Sequence, residues 1–123
     1  MEVTDEEGTR EFDVSQPNLQ ILTGGHYASL NIRGDEAREL LPEEDATDEQ
    51  LLAAWRRFNG SAGTYQVTGN EITTKVIVAK NPNAMAEQLE ITGTFGVDGN
   101  TLVRTGTNRA GTSTFTVTLS RLE

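Results

Sequence analysis

The stretch that most constrains this chain is Gly60–Pro82, G-S-A-G-T-Y-Q-V-T-G-N-E-I-T-T-K-V-I-V-A-K-N-P. Two runs of alternating residues flank Gly69-Asn70, a dipeptide suited to the two-residue turn of a β-hairpin. That turn sets Val67 against Ile72, Tyr65 against Thr74 and Gly63 against Val76, and puts Gln66/Thr73 and Thr64/Lys75 on the opposite face. One face is apolar and the other polar, so the hairpin belongs to a sheet that is wetted on one side only.

The rest of the chain is placed by how it pairs with these two strands. Met1–Val14 alternates weakly around Asp5-Glu6-Glu7-Gly8, with Val3 before the turn and Phe12 and Val14 after it, and reads as an N-terminal hairpin with an acidic tip. Leu19–Thr23 and His26–Arg33 flank Gly24-Gly25, which pairs Ile21 with Ala28 and Leu19 with Leu30. This register gathers Leu19, Ile21, Thr23, His26, Ala28, Leu30 and Ile32 on one face, expected to be the inner one. Gln20, Ser29, Asn31 and Arg33 take the other, with Leu22 and Tyr27 as its one apolar pair. After Gly34 the period changes to 3.6: Asp35–Leu41 reads as a short helix ended by Pro42. A second helix follows the capping box Thr47-Asp48-Glu49-Gln50 and gathers Leu51, Leu52, Trp55 and Phe58 on one side. Beyond the loop Asn81–Ala84, Glu87–Val97 alternates again, and Asp98-Gly99 as turn sets Phe95 against Leu102, Gly93 against Arg104 and Ile91 against Gly106. In the last strand, Thr112–Leu122, Phe115, Val117 and Leu119 point one way and Thr114, Thr116, Thr118 and Ser120 the other.

Successive short hairpins with one apolar and one Thr-rich polar face predict an all-β domain spanning residues 1–123: an antiparallel up-and-down barrel of about eight strands, with one or two short helices inserted between residues 34 and 59. The length suits one domain. With no Cys there are no disulfides, thiolates or Cys-type zinc sites. No apolar run reaches the roughly 20 residues of a membrane span and the N-terminus is acidic, so a cytoplasmic location is expected, with no membrane partner. A formal charge of −9 repels a phosphate backbone, and the scattered Lys and Arg form no stripe, so no nucleic acid is expected either.

T-G-G-H-Y-A-S-L-N-I, a helical segment, A-G-T-Y-Q-V-T-G-N-E-I-T-T-K-V, N-P-N and the closing F-T-V-T-L-S-R-L-E together resemble the small bacterial lipocalin-like domains, in order and spacing from about Gln16 to the end. The resemblance implies an eight-stranded barrel able to hold one small apolar ligand. Such chains open with a G-x-W strand whose Trp lies beneath an Arg of the last strand. Arg121 matches the second part, but no Gly-x-Trp stands near Met1, so either the first strand is missing or Met1–Thr4 is its remnant. A missing strand leaves a gap that a partner chain fills, whence a possible homodimer.

Arg104 is the most informative single position. A guanidinium keeps its proton, so on an inner face it has to be paired, solvated or bound to an anion, and a ligand carboxylate is the candidate partner. His26 is the only histidine; it has no His or Cys companion for a zinc site, but at a barrel mouth it is a candidate general base, with Tyr65 or Arg104 polarising a carbonyl. Tyr65, Phe95 and Phe115 are core residues or ligand walls, and Trp55 sits on a helix that either covers the barrel or gates it. Small inner residues such as Ala28, Gly63, Thr74, Gly93 and Gly106 favour a cavity. His26, Trp55, Tyr65, Phe95, Arg104 and Phe115 are therefore the candidate ligand-binding set, His26 and Tyr65 the candidate catalytic pair. No metal loop, phosphate-binding Gly loop, Ser elbow or cofactor motif is present, and no cofactor is expected.

Three functions fit such a container. The first is binding of a small apolar or amphipathic molecule, acidic ones included. The second is a barrel isomerase or cyclase working by proton transfer. The third is a filled barrel acting as a structural or interaction module.

Overall fold

The protein is described by a computed structural model, which covers residues 2–5, 8–11, 17–34, 36–107 and 112–122. Nine strands and two helices follow one another among these residues: β1 (Glu2–Asp5), β2 (Gly8–Glu11), β3 (Asn18–Thr23), β4 (His26–Ile32), α1 (Asp48–Arg57), β5 (Phe58–Thr68), β6 (Glu71–Ala79), α2 (Pro82–Ala86), β7 (Glu90–Asp98), β8 (Thr101–Thr107) and β9 (Thr114–Ser120). All nine strands form one antiparallel sheet in the order β2-β1-β9-β8-β7-β6-β5-β4-β3. The all-β up-and-down fold expected from the alternation is thus the observed one. The seven strands β3–β9 are consecutive neighbours that curl into a half-barrel, and the β1–β2 hairpin joins the far side of β9. Of the segment Met1–Thr4, Glu2–Thr4 form a strand that pairs with β9, and Met1 lies outside the described residues. Among the described residues the only two strands consecutive in sequence that do not pair are β2 and β3, which leaves the sheet open there.

Turn chemistry fixes the hairpins. Gly24 and Gly25 both take positive φ (58° and 82°), as a type I′ turn demands, and the pairing Leu19↔Leu30, Ile21↔Ala28 follows. In Gly69-Asn70 only the glycine has positive φ, the type II′ pattern, and Val67↔Ile72, Tyr65↔Thr74 and Gly63↔Val76 stand in the expected register. The β7–β8 turn departs from expectation. Its central residues are Gly99-Asn100, again with glycine first, instead of Asp98-Gly99. Phe95 therefore faces Arg104 and Val97 faces Leu102; the pairing moves by two residues and every side chain keeps its face.

Two glycines set the curvature. A Cβ on Gly63 would lie 1.8 Å from the Lys75 carbonyl oxygen, and one on Gly93 would lie 1.9 Å from that of Thr105. Backbones approach this closely only where the sheet bends sharply. At Gly63 the bend coincides with a bulge: the register slips between Ala62 and Gly63, so Ile77 is an extra residue of β6. Ile72, Thr74 and Val76 before the bulge are buried, whereas Ile77 and Val78 are exposed.

The helices differ from expectation in two places. Residues 36–41 are not helical; the segment is too short to nucleate a helix alone, and Pro42 follows it. Asn81–Ala84, expected as a loop, instead opens the one-turn helix α2, in which the Asn81 side chain accepts from Asn83 N–H and Pro82 takes the first turn. Thr47 caps α1 with both reciprocal bonds of the capping box, as the sequence requires.

Candidate functional site

The concave face of the half-barrel holds a cavity of ≈170 Å³, lined by Gln20 and Leu22 of β3, Tyr65 and Val67 of β5, Ile72 of β6, Phe95 of β7, and Leu102 and Arg104 of β8. Residues of five strands meet there because they share one face of a curled sheet. The walls are almost wholly apolar, and no large side chain among the described residues is completely buried, so the concavity is not packed solid.

Arg104 is the charged group of this cavity. Its Nη2 donates to Thr74 Oγ1 (3.3 Å), and the Thr74 hydroxyl in turn donates to the Ile91 carbonyl (3.5 Å). Thr74 is 5% exposed, so this hydroxyl is a fixed acceptor. Gly93 lies between Arg104 and Thr74 on the intervening strand, and its missing side chain leaves the arginine a path across β7. Arg104 Nε is buried with no hydrogen-bond partner among the described residues. Burial pulls the Arg104 pKa below the ordinary arginine value, while Tyr27 nearby acts in the opposite sense. The guanidinium stays protonated at any physiological pH, so the cavity contains a positive charge with an unused donor.

The six residues singled out from the sequence divide evenly. Tyr65, Phe95 and Arg104 line the cavity; His26, Trp55 and Phe115 do not. His26 pairs with Thr23 and Thr64, which puts it on the convex face, opposite to Tyr65; its ring nitrogen Nδ1 lies 3.4 Å from the Gly24 carbonyl oxygen and the residue is exposed. His26 and Tyr65 consequently do not address a common point. Trp55 is 53% exposed, and no residue of α1 lines the cavity. The helix passes directly into β5, its C-cap being Phe58. Polar contacts hold it there: Lys80 Nζ donates to the Trp55 and Phe58 carbonyls and sits 4.8 Å from the Trp55 ring centroid, and Arg38 donates to the Ala54 carbonyl (2.9 Å). Lys80 thus closes the end of α1. Phe115 is on the concave face but packs where Gly106 leaves space, since a Cβ on Gly106 would lie 2.7 Å from its ring.

Faces of β3–β4 are the reverse of those expected. Tyr27 pairs with Gly63, which shares its face with Tyr65; Leu22, Gln20, Tyr27, Ser29 and Asn31 are therefore concave, and Leu19, Ile21, Ala28, Leu30 and Ile32 convex. Alternation within a hairpin identifies two faces but does not say which joins the inner face of the next strand; that is decided by the β4–β5 register. The Tyr27 Oη lies 3.1 Å from Ser61 Oγ. Gln20, Leu22, Val67, Ile72 and Leu102 line the cavity without belonging to the candidate set; Val67, Ile72 and Leu102 share the inner face of Tyr65 and Phe95, whereas Gln20 and Leu22 depend on the β4–β5 register.

A second, outer groove of ≈300 Å³ is lined by Pro17, Asn18, Leu19, Leu30, Asn31, Ile32 and Phe58. It has no charged side chain. Among the described residues, no group of three His, Cys, Asp or Glu stands close enough to hold a metal ion, and no helix is long and apolar enough to cross a membrane. No family model, curated protein or solved structure matches this chain.

Proposed function

We propose that the protein binds a small apolar carboxylic acid in the concave cavity, with the carboxylate on Arg104 and the apolar body between Leu22, Tyr65, Val67, Ile72, Phe95 and Leu102. The observation that carries this reading is the buried, unpartnered Nε of Arg104 in an otherwise apolar wall. A buried charge without a counterion is costly, and an anion brought by a ligand supplies the missing partner. Thr74 takes Nη2 of the guanidinium alone, so the fork keeps further donors for a carboxylate. The volume sets the body: apolar cavities of about 150 Å³ accept benzene, so ≈170 Å³ suits one ring or a short branched chain. The ligand class follows as monocarboxylates of roughly benzoate size, taken up within the cytoplasm.

Benzoate and benzyl alcohol separate charge from shape. Titration calorimetry with the two is expected to give binding of benzoate and binding of the alcohol weaker by about 10- to 150-fold, the value of one charge-assisted pair of hydrogen bonds. Equal affinities, or none for either, would sink the reading. His26→Ala is expected to leave benzoate binding unchanged, because His26 lies on the convex face. The isomerase or cyclase alternative required His26 and Tyr65 at one point, and their opposite faces give it no support.

A further inference from the structure

We propose that two copies of the chain pair through their β3 strands across a two-fold axis, continuing the sheet from one half-barrel into the other. β3 is the last strand of the sheet, and among the described residues nothing pairs with its outer edge. The Ile32 N–H donates to the Pro17 carbonyl (3.1 Å), which fixes the phase of the ladder: residues 17, 19, 21 and 23 turn their backbone groups toward β4, and Asn18, Gln20 and Leu22 turn theirs outward.

That edge has the composition of a covered strand. Asn18–Thr23, N-L-Q-I-L-T, holds no charge and no proline, in a chain of net charge −9. Edges that stay bare are ordinarily blunted by Lys, Pro or inward charges. Leu19, Ile21 and Leu22 are 46%, 52% and 38% exposed, so the apolar side chains of both faces reach solvent there.

The strand is complementary to itself. Antiparallel pairing centred on Gln20 sets Gln20 against Gln20 of the second copy and Asn18 against Leu22 of the second copy, which are the three residues with outward backbone groups. Leu19 then meets Ile21 of the second copy in the closer, non-hydrogen-bonded pairs on the convex face. That cluster borders the groove of Leu19, Leu30, Ile32 and Phe58, and Thr23 of the second copy comes opposite Pro17 at its end. The pairing also bears on the ligand site, because Gln20 and Leu22 line the cavity. The second copy's Gln20 extends that wall beyond the sheet's own last strand. This pairing stands whether or not Arg104 holds a carboxylate.

Because the chain has no cysteine, Gln20→Cys tests the geometry directly. Hydrogen-bonded antiparallel pairs have Cα atoms about 5.5 Å apart, within disulfide range, so mild oxidation is expected to convert Gln20→Cys to a covalent dimer, while Leu30→Cys, more exposed than Gln20 but one strand inward, stays largely monomeric. Sedimentation equilibrium of the unmodified protein is expected to give a dimer at micromolar concentration, and Ile21→Lys, an exposed position whose folding is checked by circular dichroism, a monomer. A monomeric unmodified protein, an Ile21→Lys variant that still dimerises, or equal cross-linking of the two cysteine variants would each overturn the proposal. A monomer whose Gln20 and Leu22 amides are slow to exchange would assign the edge to the chain's own N-terminal segment instead.

Discussion

Gly93→Ala is expected to destabilise the protein by roughly 2–4 kcal/mol, read as a fall of about 1–2 M in its urea midpoint. The alanine Cβ would stand 1.9 Å from the Thr105 carbonyl oxygen and 3.0 Å from Gly106 Cα, and backbone cannot swing aside as a side-chain tip does. Against a total stability of 5–15 kcal/mol for a domain of this kind, that is a large fraction. Gly96 supplies the control, since it lies on the same strand with φ outside the left-handed region and nothing within 4 Å of an added Cβ. Gly96→Ala is expected within about 0.5 kcal/mol of the unmodified protein. Equal losses at the two positions would mean that the close approach at Gly93 does not set the curvature of the sheet.

Arg104→Leu separates function from stability. Loss of the guanidinium is expected to cost 10- to 150-fold in benzoate affinity while leaving benzyl alcohol unchanged, because only the carboxylate uses the charge. Stability in the absence of ligand moves the other way. The substitution removes a cation whose Nε has no partner and places an apolar side chain against Phe95 and Val117, its neighbours on β7 and β9. The melting temperature is expected to be unchanged or higher, corresponding to about 0–2 kcal/mol. A variant that loses stability by more than 2 kcal/mol would show that Arg104 is a structural strut through Thr74 and not a ligand anchor. Such a trade of stability for binding is the usual mark of a site whose polar group is left unpaired for a partner.

Much of this architecture is legible in the sequence because two-residue turns carry their register with them. Gly24-Gly25 and Gly69-Asn70 fix the partner of each residue in their hairpins, and the structure reproduces those pairs as far as the bulge at Gly63. Asp98-Gly99-Asn100 is ambiguous at that level, since Asp-Gly and Gly-Asn both suit tight turns; glycine in the first central position decided it. Because the alternatives differ by one residue on each strand, Arg104 and Phe95 still pointed inward, which is why two of the three correctly placed site residues survived a wrong register. Between hairpins the sequence is less informative. Nothing within β3–β4 states which of its faces joins the concave side of β5, so Leu22 and Tyr27 exchanged places with Ile21 and Ala28. The Trp55 stripe misled for a different reason: amphipathicity says that a helix has an apolar side, not that the chain leading out of it permits that side to reach the core.

The pairing of β1 with β9 carries an entropic consequence. Every other ladder joins strands adjacent in sequence, most of them across turns of a few residues, whereas Thr4 and Thr114 are 110 residues apart. Closing that span in place of a two-residue turn spans nearly six doublings of loop length, about 3.5 kcal/mol of additional chain entropy. Strands of only four residues repay it, so the β1–β9 junction is expected to be the last to form, and its amides to be the first to exchange in a native-state hydrogen-exchange experiment.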